Sequence, residues 1–450
     1  MGRASAHSVE FAVGAMATAN GFPDPASMTW VPFGVEKAFA EYFGNGTDPV
    51  ADIELTGASP GAYAAPTVPN PINTTSGALF DADAGQKIRR FFSDGITLRA
   101  PVYNVDGSNF AAHLNHPLFQ VLASVMAYAQ PTAATDTVNG NAANDYTYTP
   151  TDASKYKGGQ VVSVTRNGIT EYAMVTKIDA VTPLITVHPS FEGGALEDGD
   201  VVRHHFTLYP TTGAVTTTRE VHVRFNTAAR RRYAFRCVLS SLTLEEVADT
   251  QNSGSGAIYA TMVLRPGSRT ILQDNANAGL SAAYTPTGTG VATPLQACLR
   301  IGDDLASTYT APAHGDASTW PLRSWSLKID FKLGSDGRGC DPLLPESGVS
   351  RGRETVALSF ESSGVATYDR AMPDGEERTF VIGCGPADQG LAFFLPAGHL
   401  SATEQVGEDQ ETETETISGV LRQGSWAVDN ETTDAGRSAW RLAFPIPDAP

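Results

Sequence analysis

Ser324-Trp325-Ser326-Leu327-Lys328-Ile329-Asp330-Phe331-Lys332-Leu333 alternates apolar and polar residues without a break. In an extended chain successive side chains point to opposite faces, so Trp325, Leu327, Ile329, Phe331 and Leu333 share one face. Ser326, Lys328, Asp330 and Lys332 share the other. The pattern predicts a half-buried antiparallel strand, one side on a core and one in water.

Shorter runs of the same kind recur on both sides of it. Upstream they are Gln160–Thr165, Glu171–Ile178, Leu184–His188, His205–Tyr209, Glu220–Phe225, Tyr233–Leu239 and Tyr259–Leu264. Downstream they are Glu354–Glu361, Thr379–Gly383, Gly390–Pro396 and Trp440–Pro445. Asn167-Gly168, between two of them, carries the two-residue hairpin signal. A helix is predicted near 116–127, with Asn115 as N-cap, Pro117 in the first turn, and Leu118, Leu122 and Val125 at i, i+4, i+7. Gly34 to Tyr42 is a second, short helical candidate, with Val35, Phe39 and Tyr42 at the same spacing.

The expected fold is therefore mainly β: antiparallel strands in two blocks, one flanking α-helix and a small inserted β domain. Residues 1–75 read as an N-terminal extended arm or loop, of which 20–75 would lie on other surfaces. Residues 76–130 and 200–270 form a first β module. Between them, 131–199 comprise a polar linker (131–157) and the small inserted β domain. A second linker at 271–295 leads to a second β module over 296–450.

The whole chain agrees with this reading. Its 450 residues include 43 Gly and 28 Pro, hence many turns, and only 18% are charged. The balance of 31 basic against 49 acidic residues leaves a formal charge of −18. Such a chain is poorly suited to gripping nucleic-acid phosphates, which need Lys and Arg, but it can surround a duplex without adhering. Cys237, Cys298, Cys340 and Cys384 are too far apart in sequence for a CxxC knuckle and read as small buried hydrophobes of a protein made in a reducing cytoplasm. No apolar stretch reaches membrane-spanning length, and Glu10 interrupts the mildly apolar start, so no membrane segment or signal peptide is expected.

Candidate chemistry is sparse. Gly57-Ala58-Ser59-Pro60-Gly61 matches G-x-S-x-G, but a nucleophile elbow draws an oxyanion donor from the residue after the serine, and Pro60 has no N–H. His113 and His116, and the adjacent His204 and His205, lack the carboxylate pattern of a metal helix and read as surface or capping residues. No catalytic, cofactor or metal residue is predicted. Two charged clusters stand out. Arg230-Arg231-Arg232 is either an inter-subunit contact or a solvated turn. Glu411, Glu413 and Glu415 alternate with threonines, so an extended chain there is either a deliberately anionic surface or a solvated hairpin tip.

Several stretches, taken in order, resemble one family. They are Thr75-Ser76-Gly77, His116 to Ala123, Gly159 to Arg203, Arg232 to Leu244, Trp325 to Phe331, Gly352 to Phe360 and Phe394 to Ala397. Together they are similar to tail tube proteins (major tail proteins) of long-tailed, non-contractile bacteriophages. The resemblance implies antiparallel β-sandwich or tube modules in a virion protein without catalytic residues that self-assembles into rings, which stack into a conduit for DNA ejection, with residues 20–75 lying on a neighbouring subunit or ring. It implies contacts with tape-measure, tail-terminator and tail-tip proteins, and DNA passing the lumen without specific binding. Two β modules per chain favour a trimeric, pseudo-hexameric ring over a hexamer. Alternatives are another virion β-protein, such as a head-decoration or tail-tip component, and a carbohydrate-binding or hydrolytic β-protein.

Overall fold

The computed structural model describes residues 8–14, 31–35, 96–102, 121–122, 126–129, 132–179, 181–210, 220–227, 230–247, 257–266, 272–274, 297–302, 318–331, 333–335, 349–351, 355–362, 378–385, 390–405, 413–419 and 440–445. The fold is mainly β, and the strands pair antiparallel. In chain order the first strands are β1 (Ser8–Gly14), β2 (Val31–Val35), β3 (Ile96–Pro101), β4 (Met126–Ala129), β5 (Thr135–Thr137) and β6 (Thr147–Tyr148). There follow β7 (Val161–Arg166), β8 (Ile169–Asp179), β9 (Leu184–His188), β10 (Val201–Pro210), β11 (Glu220–Thr227), β12 (Arg230–Val247), β13 (Ala257–Pro266) and β14 (Leu272–Asp274). The remainder are β15 (Cys298–Gly302), β16 (Ser318–Asp330), β17 (Leu333–Ser335), β18 (Val349–Arg351), β19 (Thr355–Ser362), β20 (Arg378–Cys384), β21 (Leu391–Gln405), β22 (Glu413–Gly419) and β23 (Arg441–Pro445).

The deciding stretch is the core of β16. Trp325, Leu327, Ile329 and Phe331 are buried while Lys328 is exposed, as the alternation requires. Its register sets Trp325 opposite Phe360, Leu327 opposite Leu358 and Ile329 opposite Val356, so apolar side chains of neighbouring strands share one face. On its other side β16 pairs with β12, Leu244 opposite Leu327 and Leu242 opposite Ile329. The 18-residue β12 is the spine of this large sheet. One half runs β2-β1-β11-β12; the other runs β3-β13-β12-β16-β19-β22-β21. A second sheet runs β4-β10-β23-β21-β20-β15-β16. Strands β16 and β21 each begin in the second sheet and end in the large one.

The expected small β domain is a closed barrel. Its strands run β5-β10-β7-β8-β9-β6. The ring closes where Val138 bridges Pro150, with Asn139 N donating to Thr149 O at 2.8 Å and Thr151 N to Thr137 O at 2.9 Å. Closure leaves no unpaired edge in so small a unit. Asn167 and Gly168 both have positive φ (51° and 80°), the two-residue hairpin turn read from the sequence. Val162, Val164, Ala173, Val175, Ile185, Val187, Phe191 and Val202 fill the interior.

Four sequence expectations need correcting. Residues 132–157 are no linker: they carry β5, β6 and a 3-10 turn (Ala153–Lys155), and Val138, Tyr148 and Tyr156 join the barrel core. The helix near 116–127 ends early: Val121 and Leu122 are helical and buried, but Met126 and Ala127 open β4, whose partner on β10 supplies a tertiary ladder that outweighs local periodicity. Residues 116–120 and 123–125 of the expected helix lie outside the described residues. The arm contributes β1 and β2 to this chain's own large sheet, with Gly34 and Val35 in a strand, and the remainder of Gly34 to Tyr42 lies outside the described residues. Finally, the two β blocks share their sheets, because β12 pairs with β16 and β10 with β23. Leu272–Asp274, at the start of the second expected linker, forms β14.

Candidate functional site

The most elaborate side-chain arrangement among the described residues is the seam between the barrel and the second sheet. Strand alternation builds it: on β7 and β8, Val162, Val164, Ala173 and Val175 point inward, so Val161, Tyr172 and Met174 point outward. These outer residues pack against Val381, Ala392, Phe394 and Ala443. Two glycines let the barrel sit flush. A Cβ on Gly383 would collide with the Tyr172 ring, and one on Gly302 would meet Pro189 at 2.9 Å.

Buried arginines stitch the seam. Arg300, 2% exposed, donates to Tyr172 O at 3.0 Å and Ser190 O at 2.5 Å, and lies 3.8 Å from Glu171. Glu171 also accepts from Gly193 N at 3.0 Å and sits 3.7 Å from Arg166. Arg441, fully buried, donates from Nε to Gly159 O at 2.9 Å. His188 Nε2 and Thr379 Oγ1 are 2.9 Å apart across the seam, and Thr379 donates to Pro396 O at 2.8 Å.

His204 and His205 are both completely buried, contrary to the surface reading. His204 lies tilted against the Tyr156 ring, centroids 4.4 Å apart, and accepts from Gln160; His205 bonds Ser163 Oγ at 2.8 Å. Burial holds both imidazoles well below their ordinary value, His204 at about 4 and His205 at about 3. At the barrel base Asp136 accepts from Lys155 Nζ (2.8 Å), Tyr156 OH (3.3 Å) and Asp152 N (3.3 Å). Burial raises the Tyr148, Tyr156 and Tyr172 phenols far above the usual range, so all three stay neutral.

The structure does not bring the two charged clusters together in one described contact. Arg230, Arg231 and Arg232 open β12, in strand pairing and not in a turn; Arg231 is in register with Asn226 on β11 and Asp274 on β14. Glu413 and Glu415 lie in β22, which is paired on both sides: Glu415 is opposite Phe360 and Thr403, Glu413 opposite Ser362 and Gln405. They therefore occupy a strand inside a sheet and not a hairpin tip. Glu411, Ser59, His113, His116 and Cys340 lie outside the described residues. Cys384 is buried with its thiol pushed up to about 12, and Cys298 is half-buried, also raised by desolvation. Cys237 lies in β12.

Sequence reasoning missed Arg300 and Arg441. The available signal was a lone arginine inside an apolar strand, Leu299-Arg300-Ile301 and Trp440-Arg441-Leu442, since a buried charge requires partners. Chemically the seam positions and holds: Arg300 Nη1 and Nη2, Arg441 Nε and Thr379 Oγ1 all donate to backbone carbonyls. Among the described residues no group of three or more His, Cys, Asp or Glu side chains could hold a metal ion, and no helix is long and apolar enough to cross a membrane. No protein-family model and no curated protein matches this chain.

Proposed function

We propose that this chain is a structural virion protein that assembles into stacked rings forming the tail tube of a long-tailed, non-contractile phage. What supports the reading most is the small barrel of residues 132–204, inserted between β4 and the His205–Pro210 part of β10, which are neighbouring strands of the antiparallel β body. That is the order of parts the resemblance calls for. We read the two large sheets as the faces of an antiparallel sandwich, with helical Val121 and Leu122 in its flanking helix.

Rings of three chains, pseudo-hexameric, are the favoured assembly, and six chains the rival. Copies carrying −18 each repel one another, so subunit contacts would enlist scarce bases such as Arg230 to Arg232, while Asp and Glu line the lumen, with Glu411, Glu413 and Glu415 as candidates. Such a lumen lets DNA slide, because no counterions are released by phosphate contacts. Tape-measure, tail-terminator and tail-tip proteins would be its partners in the virion.

Negative-stain microscopy of the purified protein, combined with mass measurement of single rings, tests the proposal. Stacked rings with an open lumen are expected, at the mass of three chains. Monodisperse monomers at high concentration would refute the tube, and a ring of six would refute the trimer.

A further inference from the structure

β10 belongs to two units, and it changes hands at one peptide. Through His204 it pairs with β7 of the barrel, His204 opposite Val162; from His205 onward it pairs with β23 of the second sheet, His205 opposite Pro445. At this joint successive side chains face opposite ways. His204 enters the barrel base, and His205 enters the seam against Ser163 and, at 5.4 Å, the Tyr172 ring.

The hydrogen bonds require a neutral ring at His204. Lys157 N donates to Gln160 Oε1 at 2.9 Å, which fixes the orientation of the amide. Gln160 Nε2 must then donate to His204 Nδ1, 3.0 Å away, and only an unprotonated nitrogen accepts. The second nitrogens, His204 Nε2 and His205 Nδ1, are buried with no hydrogen-bonding partner among the described residues. Protonation would set a new Nδ1–H of His204 against the donating Gln160 amide, and would leave the Nδ1–H of His205 without an acceptor, burying a charge at either position.

The surrounding charges do not rescue protonation. Facing His204 are Asp136 from β5, Lys155 from the 3-10 turn and the Tyr156 hydroxyphenyl ring; Asp136 favours the charged ring, but Lys155 already occupies it. Facing His205 are Arg203 and His204 from its own strand, which both disfavour charge, Ser163 from β7 and Tyr172 from β8. β23 contributes Arg441, committed to Gly159 O.

We infer that the His204–His205 joint is an acid-operated hinge: protonation of the pair unseats the barrel from the second sheet while the large sheet stays closed. The direction follows from the lowered imidazole values. The closed seam is fully favoured above the ordinary histidine value, and is lost as pH falls below it toward the buried values of about 4 and about 3. The opening equilibrium rises by about 10-fold per pH unit in that window for each ring that opening exposes, and by up to about 100-fold for both.

Hydrogen–deuterium exchange of the full-length protein, corrected for the intrinsic rate at each pH, tests the hinge. Protection of β7, β8 and Leu391 to Pro396 should fall together below about pH 6.5, steeply, while β16 and β19 keep theirs. The double variant His204→Asn, His205→Gln keeps an acceptor facing Gln160 and a polar partner for Ser163, and should flatten that dependence. Unchanged wild-type protection down to about pH 4, or an equal acid loss in the folded variant, overturns the proposal. Should the variant not fold, imidazole carbon shifts of the wild type decide. Rings that titrate near about 6.5 while the seam stays protected overturn the hinge; rings that titrate only as protection is lost support it.

Discussion

Replacing Arg300 by Met isolates what the buried guanidinium contributes to the seam. The methionine retains an apolar stem of similar reach, so little packing is lost. What disappears is a cation donating to two main-chain carbonyls, Tyr172 O and Ser190 O, and flanking Glu171 at 3.8 Å. Hydrogen bonds from charged donors contribute roughly 1.5–3 kcal/mol each, and breaking a buried pair typically costs about 3–5 kcal/mol because the remaining charge is stranded. Glu171 retains Gly193 N and Arg166, which softens the loss, so a destabilisation of about 3 kcal/mol is expected. Equilibrium urea denaturation of Arg300→Met measures it. Glu171→Gln should cost less in the Arg300→Met background than in the wild type, giving a coupling of about 1 kcal/mol or more. A loss from Arg300→Met below about 1 kcal/mol, or additive effects of the two substitutions, would refute the reasoning.

Gly383→Ala drives a methyl group into the Tyr172 ring and should destabilise by about 1–3 kcal/mol, an effect that vanishes when Tyr172 is also alanine. Phe191→Ala empties part of the barrel core, where Phe191 is 1% exposed, and should cost about 3–5 kcal/mol in denaturation experiments. Duplex DNA should bind the assembled protein weakly even at low salt. Tight binding that weakens steeply with added salt would contradict the acidic-conduit reading.

Local chemistry carried a good part of this fold. The period-two alternation of Trp325 to Phe331 specifies both a strand and its buried face, because a pleated chain has no other way to segregate those side chains. Asn167-Gly168 specifies its turn because both residues tolerate positive φ. Where periodicity was weak, reading failed: residues 132–157 looked like a linker because their strands are two or three residues long and their core contacts, Val138, Tyr148 and Tyr156, are isolated in sequence.

The seam lay beyond such reading for a different reason. Arg300 and Tyr172 are 128 residues apart, Arg441 and Gly159 282, and no local pattern records which carbonyl a buried guanidinium will find. His204 and His205 looked exposed because burial of a polar group depends on partners supplied by other strands, here Gln160 and Ser163. By itself, then, the sequence determined the longer periodic strands, their buried faces and the acidic character of the chain, all set by neighbours within a few residues. Tertiary structure alone decided that the barrel closes, that the two β blocks share their sheets, and that arginine and histidine lie in the joint between them. Those outcomes depend on which distant strands pair, and on satisfying every polar group that the pairing buries.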